Sequence, residues 1–576
     1  MVNLTIDGKH ISVEEGTTIL KAAEAAGIRI PTLCKWDGIN VIGACRLCII
    51  EVKGMERLPA SCVTIAEEGM EVYTSTQKVI DARRANLEMI LSEHDFDCMN
   101  CPRSGTCELQ KLVFEFGIED GKFRKNLPHM PWPKDFPLIR NNDKCIKCMR
   151  CVQVCEKIAD VGIWDVQFSG SRTTVWTKDN KNIKDMGCTL CGQCITHCPC
   201  GALTSRDDRS KLFGENGVMA DKSKIKVVSM APSVRTAWAE EFGLGNNVKI
   251  EKLVGVLKAL GFNFVFDVNF GADLTIMEEG NELIERLSNR DKYKFPMFTS
   301  CCPAWVRYVK TKHKELIPNL STAKSPNQMQ GAIIKTYFAE KLKVNPATIY
   351  NVAIMPCVAK KAEIEIPTMN LIDGVKDVDL VLTTRELVSM IKEFGIDINK
   401  VEEKEFDSPL GESTGAGVIF GSSGGVLEAS LRTASYVLTK KTPTVDEFKV
   451  VRNKDGIKIA TVNVGGTELK VGVVSGLKNA SKLIKDIETG KEKLDFIEVM
   501  ACPNGCINGG GQPIWGENEQ KVDARCDDIY RRDRDAKFKN SYENPSIVTL
   551  YNEYIGKPCG EKAHHLLHID HESFSV

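Results

Sequence analysis

From about residue 225 onward, short apolar runs alternate with longer amphipathic stretches. The apolar runs predict buried strands, among them KVVSMAP, NVAIMPC, VDLVLTT and FIEVMAC. The amphipathic stretches predict helices, among them VRTAWAEEFG, ELIERLSNR, MQGAIIKTYFAEKL and TRELVSMIKEFG. This alternation is typical of an α/β domain, and such domains place their functional sites at the ends of strands.

The N-terminal part of the chain has a different pattern. VNLTID and KHISVEE flank Asp7-Gly8, a dipeptide favoured in tight hairpin turns, and TTILKAAEAAG follows as a predicted helix that Gly27 ends. Residues 1–80 therefore predict a small β-rich domain. Residues 81–125 begin with a predicted helical stretch, ARRANLEMILSEHDFDC, and the proline-rich residues 126–140 predict a linker.

Composition adds one outlier to an otherwise ordinary globular chain. The 576 residues are 43% hydrophobic and 27% charged, with a net charge of −1, so neither nucleic acid nor a membrane is an expected partner. The N-terminus, MVNLTIDGKH, has no secretory pattern, which predicts a cytoplasmic location. The outlier is the count of 23 cysteines, fifteen of them between Cys34 and Cys198. In such a chain, metal ligation is a better interpretation than disulfides.

An internal repeat carries the strongest motif. CIKCMRCVQVC and CTLCGQCITHCP share the spacing C-x2-C-x2-C-x3-C, which is that of bacterial ferredoxins with two 4Fe-4S clusters. In that pattern the fourth cysteine of each run binds the other cluster. One predicted ligand set is therefore Cys145, Cys148, Cys151 and Cys198, and the other is Cys188, Cys191, Cys194 and Cys155. Zinc is the alternative, although zinc sites rarely have this spacing.

Two further sets precede the repeat. Cys34, Cys45, Cys48 and Cys62 partly match the plant-type 2Fe-2S spacing, with a longer first gap, and zinc again is the alternative. The third set is Cys98, Cys101 and Cys107, which leaves an iron site one ligand short. His94 is the nearest candidate, at the distance of one helical turn from Cys98, although a single histidine is usually an ordinary surface or core residue.

Three short motifs in the C-terminal part place cysteines after predicted strands or in turns of small residues. They are TSCCPAW (299–305), MPCVAKK (355–361) and MACPNGC (500–506), and INGGGQP follows the last one. The sequence alone indicates a four-cysteine site that only the fold can assemble, and it favours a cluster. Gly509, Gly510 and Gly511 would let the backbone approach a bulky inorganic group.

These motifs resemble known families. The three N-terminal modules, in this order, are similar to the large iron–sulfur subunit of respiratory NADH dehydrogenases and to the accessory arm of iron-only hydrogenases. Both carry a cluster bound by one histidine and three cysteines, which supports His94 as a ligand. The three C-terminal motifs closely resemble the active-site signatures of FeFe-hydrogenases of the clostridial multi-cluster type. The resemblance covers essentially the whole chain.

This resemblance implies an H-cluster, in which a 4Fe-4S cube is joined to a di-iron unit that carries carbon monoxide, cyanide and a bridging azadithiolate. Its implied ligands are Cys302, Cys357, Cys502 and Cys506, with Cys506 bridging the two parts. Cys301 would pass protons to the bridging amine, since a thiol with a pKa of about 8.5 can exchange protons near neutral pH. The implied proton path continues through Glu279, Ser321, Glu282 and Arg286. Paired glutamates on a helix are otherwise usually a solvated face. Lys360 matches a lysine that binds a cyanide, and the remaining matches around the di-iron unit are Met355, Met500, Ser233 and Pro232.

The expected architecture is multidomain α+β and α/β. It comprises a β-grasp 2Fe-2S domain (1–80), a 4Fe-4S domain with one histidine and three cysteines (81–125), a two-4Fe-4S ferredoxin-like domain (126–209) and an α/β catalytic H-cluster domain (210–576). The expected cofactors are one 2Fe-2S cluster, three accessory 4Fe-4S clusters and the H-cluster. The sequence lacks G-x-G-x-x-G and P-loop motifs, so reduced ferredoxin or flavodoxin is the expected electron donor, and maturation proteins are expected partners.

The predicted activity is reversible reduction of protons to hydrogen. Two alternatives remain open from the sequence. One is a dehydrogenase subunit or electron carrier, which would not need the three C-terminal motifs. The other is a non-catalytic relative that assembles clusters or senses hydrogen, although assembly relatives are not expected to keep both Cys301 and Cys302. Cys200, Cys526 and Cys559 are interpreted as ordinary thiols.

Overall fold

The computed structural model describes residues 1–119, 122–246, 248–454, 456–517 and 519–576. The N-terminal part forms a four-stranded sheet with strand order β2-β1-β4-β3. Its elements are β1 (Val2–Ile6), β2 (Lys9–Val13), α1 (Ile19–Ala25), β3 (Glu51–Val52) and β4 (Glu71–Tyr73). Asp7 and Gly8 both have positive φ, at 45° and 81°, as the predicted tight turn requires. β1 pairs antiparallel with β2 and parallel with β4, so the hairpin and the helix were predicted correctly.

The second part contains α2 (Gln77–Ser92) and α3 (Glu108–Glu115). The predicted helical stretch reached Cys98, but α2 ends at Ser92. His94 and Cys98 therefore lie on the loop that follows, and the argument from one helical turn between them is wrong. The loop is nevertheless held in place, because His94 is buried and its Nδ1 lies 3.0 Å from the carbonyl oxygen of Lys144.

The internal repeat of the sequence is also a repeat of backbone geometry. This part contains β5 (Leu138–Arg140), α4 (Arg150–Lys157), β6 (Trp164–Gln167), β7 (Thr174–Thr177), α5 (Gln193–Thr196) and β8 (Leu203–Ser205). Met149 before α4 and Gly192 before α5 both have left-handed φ, at 65° and 73°. The equivalent residues Lys147 and Leu190 do too, at 55° and 58°. Each run therefore wraps its first three cysteines in the same tight turn.

The remaining chain forms two further four-stranded sheets and the helices around them. Its strands are β9 (Ile225–Met230), β10 (Phe264–Asp267), β11 (Met297–Phe298), β12 (Ile349–Met355), β13 (Leu380–Thr383), β14 (Gly456–Val464), β15 (Thr467–Ser475) and β16 (Phe496–Met500). Its helices are α6 (Ser210–Phe213), α7 (Ile250–Ala259), α8 (Val268–Ser288), α9 (Pro303–Lys312), α10 (Pro326–Ile333), α11 (Ala339–Leu342), α12 (Lys360–Glu363), α13 (Thr384–Glu393), α14 (Gly415–Ile419), α15 (Gly425–Thr439), α16 (Leu477–Glu488), α17 (Glu519–Asp535), α18 (Pro545–Leu550) and α19 (Glu561–Leu567).

The two sheets place the cysteine motifs at strand ends. One sheet has the order β10-β9-β12-β13 with all strands parallel, and the other has β11-β16-β15-β14 with only β14 antiparallel. TSCC follows β11, MPC ends β12 and MAC ends β16, so all three motifs lie at carboxyl ends of parallel strands. Ligands bind at this edge in open α/β sheets, and the prediction from alternating strands and helices is confirmed.

Most predicted elements of this part are present, with one clear exception. KVVSMAP, NVAIMPC, VDLVLTT and FIEVMAC contain β9, β12, β13 and β16. VRTAWAEEFG, however, is not an α-helix; it contains the end of a 3-10 helix at Pro232–Thr236 and another at Glu240–Phe242. None of the helices in the described part of the chain combines the length and the apolar composition needed to cross a bilayer.

Candidate active site and cysteine clusters

A cavity with an empty volume of about 780 Å³ lies between the carboxyl ends of the two sheets. Residues of all the C-terminal motifs line it, together with side chains that the sequence predicted around them. The lining includes Cys301, Cys302, Cys357, Cys502, Cys506, Lys360, Met355, Met500, Pro232 and Ser233. The fold therefore brings together cysteines that are 55 and 145 residues apart in sequence.

Local structure explains how each cysteine reaches the cavity. Cys302 is the N-cap of α9, with Pro303 as the first helical residue, a position that proline favours. Cys357 follows β12 after one proline. Between Cys502 and Cys506 the backbone turns through Asn504 and Gly505, both with positive φ. A Cβ on Gly505 would lie 2.7 Å from the backbone nitrogen of Ser423, so this tight turn requires glycine.

The polar groups of the cavity fit a bulky cofactor with polar ligands. The Ser233 hydroxyl and the Asn327 side-chain amide nitrogen are buried, and neither has a hydrogen-bond partner among the described residues. Both residues line the cavity. Buried polar atoms are nearly always paired, so these two groups are available to an occupant. Sequence reasoning missed Asn327, because a residue in the first turn of an ordinary helix carries no distinguishing signal.

Lys360 contributes a buried positive charge at the same wall. Its Nζ lies 2.9 Å from both carboxylate oxygens of Glu363 and 3.3 Å from the carbonyl oxygen of Cys301. Burial lowers the pKa of this lysine, but Glu363 outweighs burial and the net pKa is raised. Lys360 is therefore charged and held at the cavity. Glu363 was not predicted, although it lies one helical turn after Lys360.

A line of polar side chains runs from the cavity towards the surface. Cys301 lines the cavity, and Glu279 on α8 is close enough to influence it electrostatically. Further along, the Ser321 hydroxyl donates to Glu282 over 2.7 Å, and Arg286 donates to the same carboxylate over 2.6 Å. Glu279, Glu282 and Arg286 share one face of α8 through their spacing of three and four residues.

Glu279 differs from an ordinary helical glutamate. It is completely buried, and neither carboxylate oxygen has a hydrogen-bond partner among the described residues. Burial, and secondly repulsion by Glu282, raises the pKa of Glu279 to about 8, although the Ser321 side chain and the Ser300 backbone act against this shift. The carboxyl group is therefore protonated at neutral pH and titrates just above it. The alternative of a solvated helix face does not apply.

The structure also groups the N-terminal cysteines. The Cys48 and Cys62 sulfurs lie 3.2 Å apart, and Cys34 lies within hydrogen-bonding reach of Cys45. In the repeat, Cys155 lies near Cys188 and Cys191, whereas Cys198 lies near Cys148 and Cys151. The fourth cysteine of each run thus lies beside the first cysteines of the other run.

His94 and Cys98 both lie close to Lys144. The Nδ1 atom of His94 donates to the Lys144 carbonyl, if the ring carries its proton there, and this leaves Nε2 as a free acceptor. Metal-binding histidines are commonly oriented in this way. Cys98 and Cys107 each lie near Cys101.

Backbone contacts connect these groups. The Asn40 side chain donates to the carbonyl oxygens of Cys34, over 2.7 Å, and Cys148, over 2.9 Å. The Cys107 sulfur lies 3.6 Å from the carbonyl oxygen of Pro199, next to Cys198. The Cys502 sulfur lies 3.7 Å from the carbonyl oxygen of Cys191, which itself lines the cavity. Cys151 lies near Cys194, which brings the two groups of the repeat together. Neighbouring cysteine groups are thus linked through nearby backbone or side-chain groups.

The three consecutive glycines pack against neighbouring backbone, and their approach to an inorganic group stays a prediction. A Cβ on Gly510 would lie 2.6 Å from the Cα of Gly192, and one on Gly509 would lie 2.3 Å from the carbonyl oxygen of Pro356. A Cβ on Gly511 would lie 2.7 Å from the carbonyl carbon of Pro356. These glycines allow backbone to pack on backbone, and only Gly509 lines the cavity.

This packing yields a testable prediction. Gly510→Ala places a methyl group against the Gly192 backbone, which cannot move aside as a flexible side chain can. We expect the free energy of unfolding to fall by about 1–3 kcal/mol. Thermal unfolding measures this effect. The control is Gly245→Ala, where an added Cβ has no neighbour within 4 Å. Equal behaviour of the two variants would contradict the close packing.

Comparison with protein families supports each part of the chain separately. Residues 1–77 match "2Fe-2S iron-sulfur cluster binding domain", 83–122 match "NADH-ubiquinone oxidoreductase-G iron-sulfur binding region", and 144–202 match "4Fe-4S dicluster domain". Residues 224–510 match "Iron only hydrogenase large subunit, C-terminal domain", and 519–573 match "Iron hydrogenase small subunit". The fold and the site thus define an iron–sulfur oxidoreductase of mixed α/β structure.

Comparison with individual proteins identifies the family. The chain is 41% identical to the NADP-reducing hydrogenase subunit HndD of Solidesulfovibrio fructosivorans, over 99% of this chain and 98% of that one. It is 38% identical to iron hydrogenase 1 of Clostridium pasteurianum, over 99% and 100% of the two chains. It also resembles the structure of a variant of the [FeFe]-hydrogenase HydA1 from Chlamydomonas reinhardtii. That match has a TM-score of 0.55 and 39% identity, and it covers 61% of this chain and 94% of that one. The chain belongs to the FeFe-hydrogenase family.

Proposed function

We propose that the protein catalyses the reversible reduction of protons to hydrogen, with electrons relayed through the N-terminal clusters and protons through Cys301. The observation that carries this proposal is the cavity itself. Cys302, Cys357, Cys502 and Cys506 line it, Cys301 leads from it into a buried line of proton-carrying side chains, and a neighbouring cysteine group contacts it through Cys191. An electron carrier or a dehydrogenase subunit would need no such proton line.

We assign Cys302, Cys357, Cys502 and Cys506 as the ligands of the H-cluster, with Cys506 as the bridge to its di-iron unit. The cofactor, when bound, would supply the metal chemistry by which two protons and two electrons form one molecule of hydrogen. The protein's own residues bind it, orient it and exclude water. The Lys360 ammonium and the unpaired Ser233 hydroxyl supply hydrogen-bond donors to its polar ligands, and Asn327 adds a third.

Apolar residues complete the proposed cofactor site. Met355, Met500 and Pro232 line the cavity beside the polar donors. Methionine fills irregular spaces well, because its side chain is flexible and polarizable. We assign these three residues to packing around the di-iron unit, where they keep water away from it.

Cys301 is proposed to transfer protons between the cavity and Glu279. Ser321 and Glu282 continue the route, and Arg286 holds Glu282 near its outer end. Arg286 also lies over the ring of Tyr293, a partly exposed residue, with 5.4 Å between the guanidinium carbon and the ring centre. A buried, neutral Glu279 suits this role, because a group whose pKa lies near the working pH gives and takes protons with similar ease.

The electron route is proposed to start at two places and to converge. A 2Fe-2S cluster on Cys34, Cys45, Cys48 and Cys62, and a 4Fe-4S cluster on His94, Cys98, Cys101 and Cys107, would both deliver to a cluster on Cys145, Cys148, Cys151 and Cys198. The bridging side chain of Asn40 and the contact of Cys107 with Pro199 support this branching. A cluster on Cys155, Cys188, Cys191 and Cys194 would then pass electrons to the cavity through the Cys191–Cys502 contact.

The histidine ligand can be tested on its own. His94→Cys would replace a neutral imidazole with a thiolate, which makes the cluster more negative. We expect the cluster to be retained and its reduction potential to fall by on the order of 100 mV. A redox titration followed by electron paramagnetic resonance measures this shift, and the other clusters serve as internal controls. Unchanged potentials for all clusters would exclude His94 as a ligand.

Reduced ferredoxin or flavodoxin is the proposed donor in the cytoplasm, docking near the N-terminal clusters, and maturation proteins are proposed to supply the di-iron unit. A second candidate is electron exchange with NADP(H) through a partner subunit, which the similarity to an NADP-reducing hydrogenase subunit favours. Hydrogen evolution by the isolated, loaded chain distinguishes them. Activity with reduced ferredoxin but not with NADPH supports the first. Activity with neither, restored by added partner subunits and NADPH, supports the second.

A further inference from the structure

A second group of metal-binding side chains lies apart from the cavity. Glu278 is on α8, Cys559 precedes α19, and His568 follows it. One carboxylate oxygen, the sulfur and one ring nitrogen of these residues all lie within 4.8 Å of one another. Glu278 is fully buried, His568 is buried and Cys559 is partly exposed, so the group has one accessible side. Glu278 is adjacent in sequence to Glu279, but it has no place in the proposed proton route.

Neighbouring groups hold these side chains in position. His568 Nε2 lies 2.9 Å from a Glu278 oxygen, and its Nδ1 lies 2.8 Å from the Thr322 hydroxyl. The Cys559 amide donates to Glu278 over 2.7 Å, and the Tyr551 hydroxyl donates to its other oxygen. A hydrogen bond at Nδ1 fixes the imidazole ring so that Nε2 is directed at the group, an arrangement common in metal-binding histidines.

The local charges favour a cation. Burial, and secondly the carboxylates of Glu278, Glu282 and Glu285, raise the pKa of the Cys559 thiol. A dication bound to a thiolate, a carboxylate and a neutral imidazole would form a neutral unit in this buried position. The ordinary interpretation is a hydrogen-bonded structural network around Glu278. In that network the Cys559 amide donates to the Glu278 carboxylate, and the Cys559 thiol, a weak donor, lies 3.5 Å from the Glu278 carbonyl oxygen. A bound cation would replace this weak hydrogen bond of the thiol with a metal–sulfur bond.

We propose that Glu278, Cys559 and His568 bind one Zn²⁺ ion, with the fourth position open to water. Cysteine, histidine and a carboxylate are the ligand types that zinc prefers, and three protein ligands plus water is a common arrangement. Binding releases the thiol proton and, if present, the proton on Nε2 of His568. The ion would tie α8 to the C-terminal segment and, through His568 and Thr322, to the loop that contains Ser321. The site does not depend on the proposed catalytic function.

The test uses the full chain with its iron–sulfur clusters and H-cluster in place. The protein is incubated with zinc chloride, freed of unbound metal by gel filtration, and analysed for zinc and iron. We expect one tightly held zinc per chain with iron content unchanged. Cys559→Ala should reduce the retained zinc at least tenfold, whereas Cys526→Ala, which removes another partly exposed thiol, should not. Equal zinc in wild type and Cys559→Ala, or no retained zinc in wild type, would overturn the proposal.

X-ray absorption at the zinc edge supplies an independent readout. The proposed site predicts one sulfur at about 2.3 Å and two or three nitrogen or oxygen neighbours at about 2.0–2.2 Å. Three or four sulfur neighbours would mean that zinc had replaced iron at a cluster, and would also overturn the proposal. His568→Gln should lose the zinc as well. His568 is buried, so His568→Gln could also destabilise the fold. The thermal unfolding of His568→Gln is therefore compared with that of Cys559→Ala, to separate loss of the metal site from loss of the fold.

Discussion

Replacing Cys301 with serine is expected to reduce the rate of hydrogen evolution by roughly 10²–10⁴-fold, the usual contribution of a positioned acid–base group. The hydroxyl has nearly the shape of the thiol, so the cavity and the other cysteines that line it should be preserved. A serine hydroxyl is far less acidic than a thiol, however, and cannot pass a proton from Glu279 on to the cavity at a useful rate. Hydrogen production from a reduced dye, measured together with iron content, tests this expectation.

The control for Cys301 is Cys526→Ser, which changes a partly exposed thiol that we assign to no step. It should retain wild-type activity and iron. If Cys301→Ser lost iron along with activity, Cys301 would be a ligand and not a proton carrier. If it kept both, protons would have to reach the cavity by another route.

Glu279→Gln should have a similarly large effect on rate, about 10²-fold or more, because an amide cannot carry the proton. Its effect on stability should be small only below about pH 4.5, where this carboxyl is neutral in both the folded and the unfolded protein. The pKa of Glu279 is about 8 in the folded protein, compared with an ordinary value of 4.5. Between pH 4.5 and pH 8, the carboxyl group therefore keeps its proton in the folded protein but has lost it in the unfolded chain. The wild-type free energy of unfolding therefore falls as pH rises through this window, and this contribution is absent from the variant.

We therefore expect the free energy of unfolding of Glu279→Gln to rise relative to that of wild type between pH 6 and pH 9. The variant should be inactive at both pH values. Thermal unfolding at the two pH values measures the stability difference. Glu285→Gln, on the exposed side of α8, is the matched control and should show neither effect. A constant stability difference across this range would mean that Glu279 is not protonated in the folded protein.

The sequence predicted well wherever ligands lie close together along the chain. The two C-x2-C-x2-C-x3-C runs define their own turns, because each positive-φ position recurs at the same offset. The alternation of strands and helices placed TSCC, MPC and MAC at strand ends, which the sheets confirm. The convergence of Cys302, Cys357 and Cys502 on one cavity depended on the relative position of two sheets, and spacing along the chain carries no information about it.

Other features could not be read from the sequence for identifiable reasons. Helix α2 ends at Ser92 although helix-forming residues continue, so the position of His94 depends on its tertiary contact with Lys144. Asn327 and Glu363 look like ordinary helical residues until the cavity is seen. Cys559 looked like an unremarkable thiol, because its neighbours Glu278 and His568 lie 281 and 9 residues away in sequence.

The most direct test of the account is hydrogen evolution from reduced methyl viologen by the wild-type chain, under strict exclusion of oxygen, with the iron–sulfur clusters reconstituted and the di-iron unit installed. We predict rapid evolution of hydrogen that requires the di-iron unit. If a chain with its full iron content and installed di-iron unit produced no hydrogen, the cavity would not be a site of proton reduction, and the account of its residues given above would be wrong.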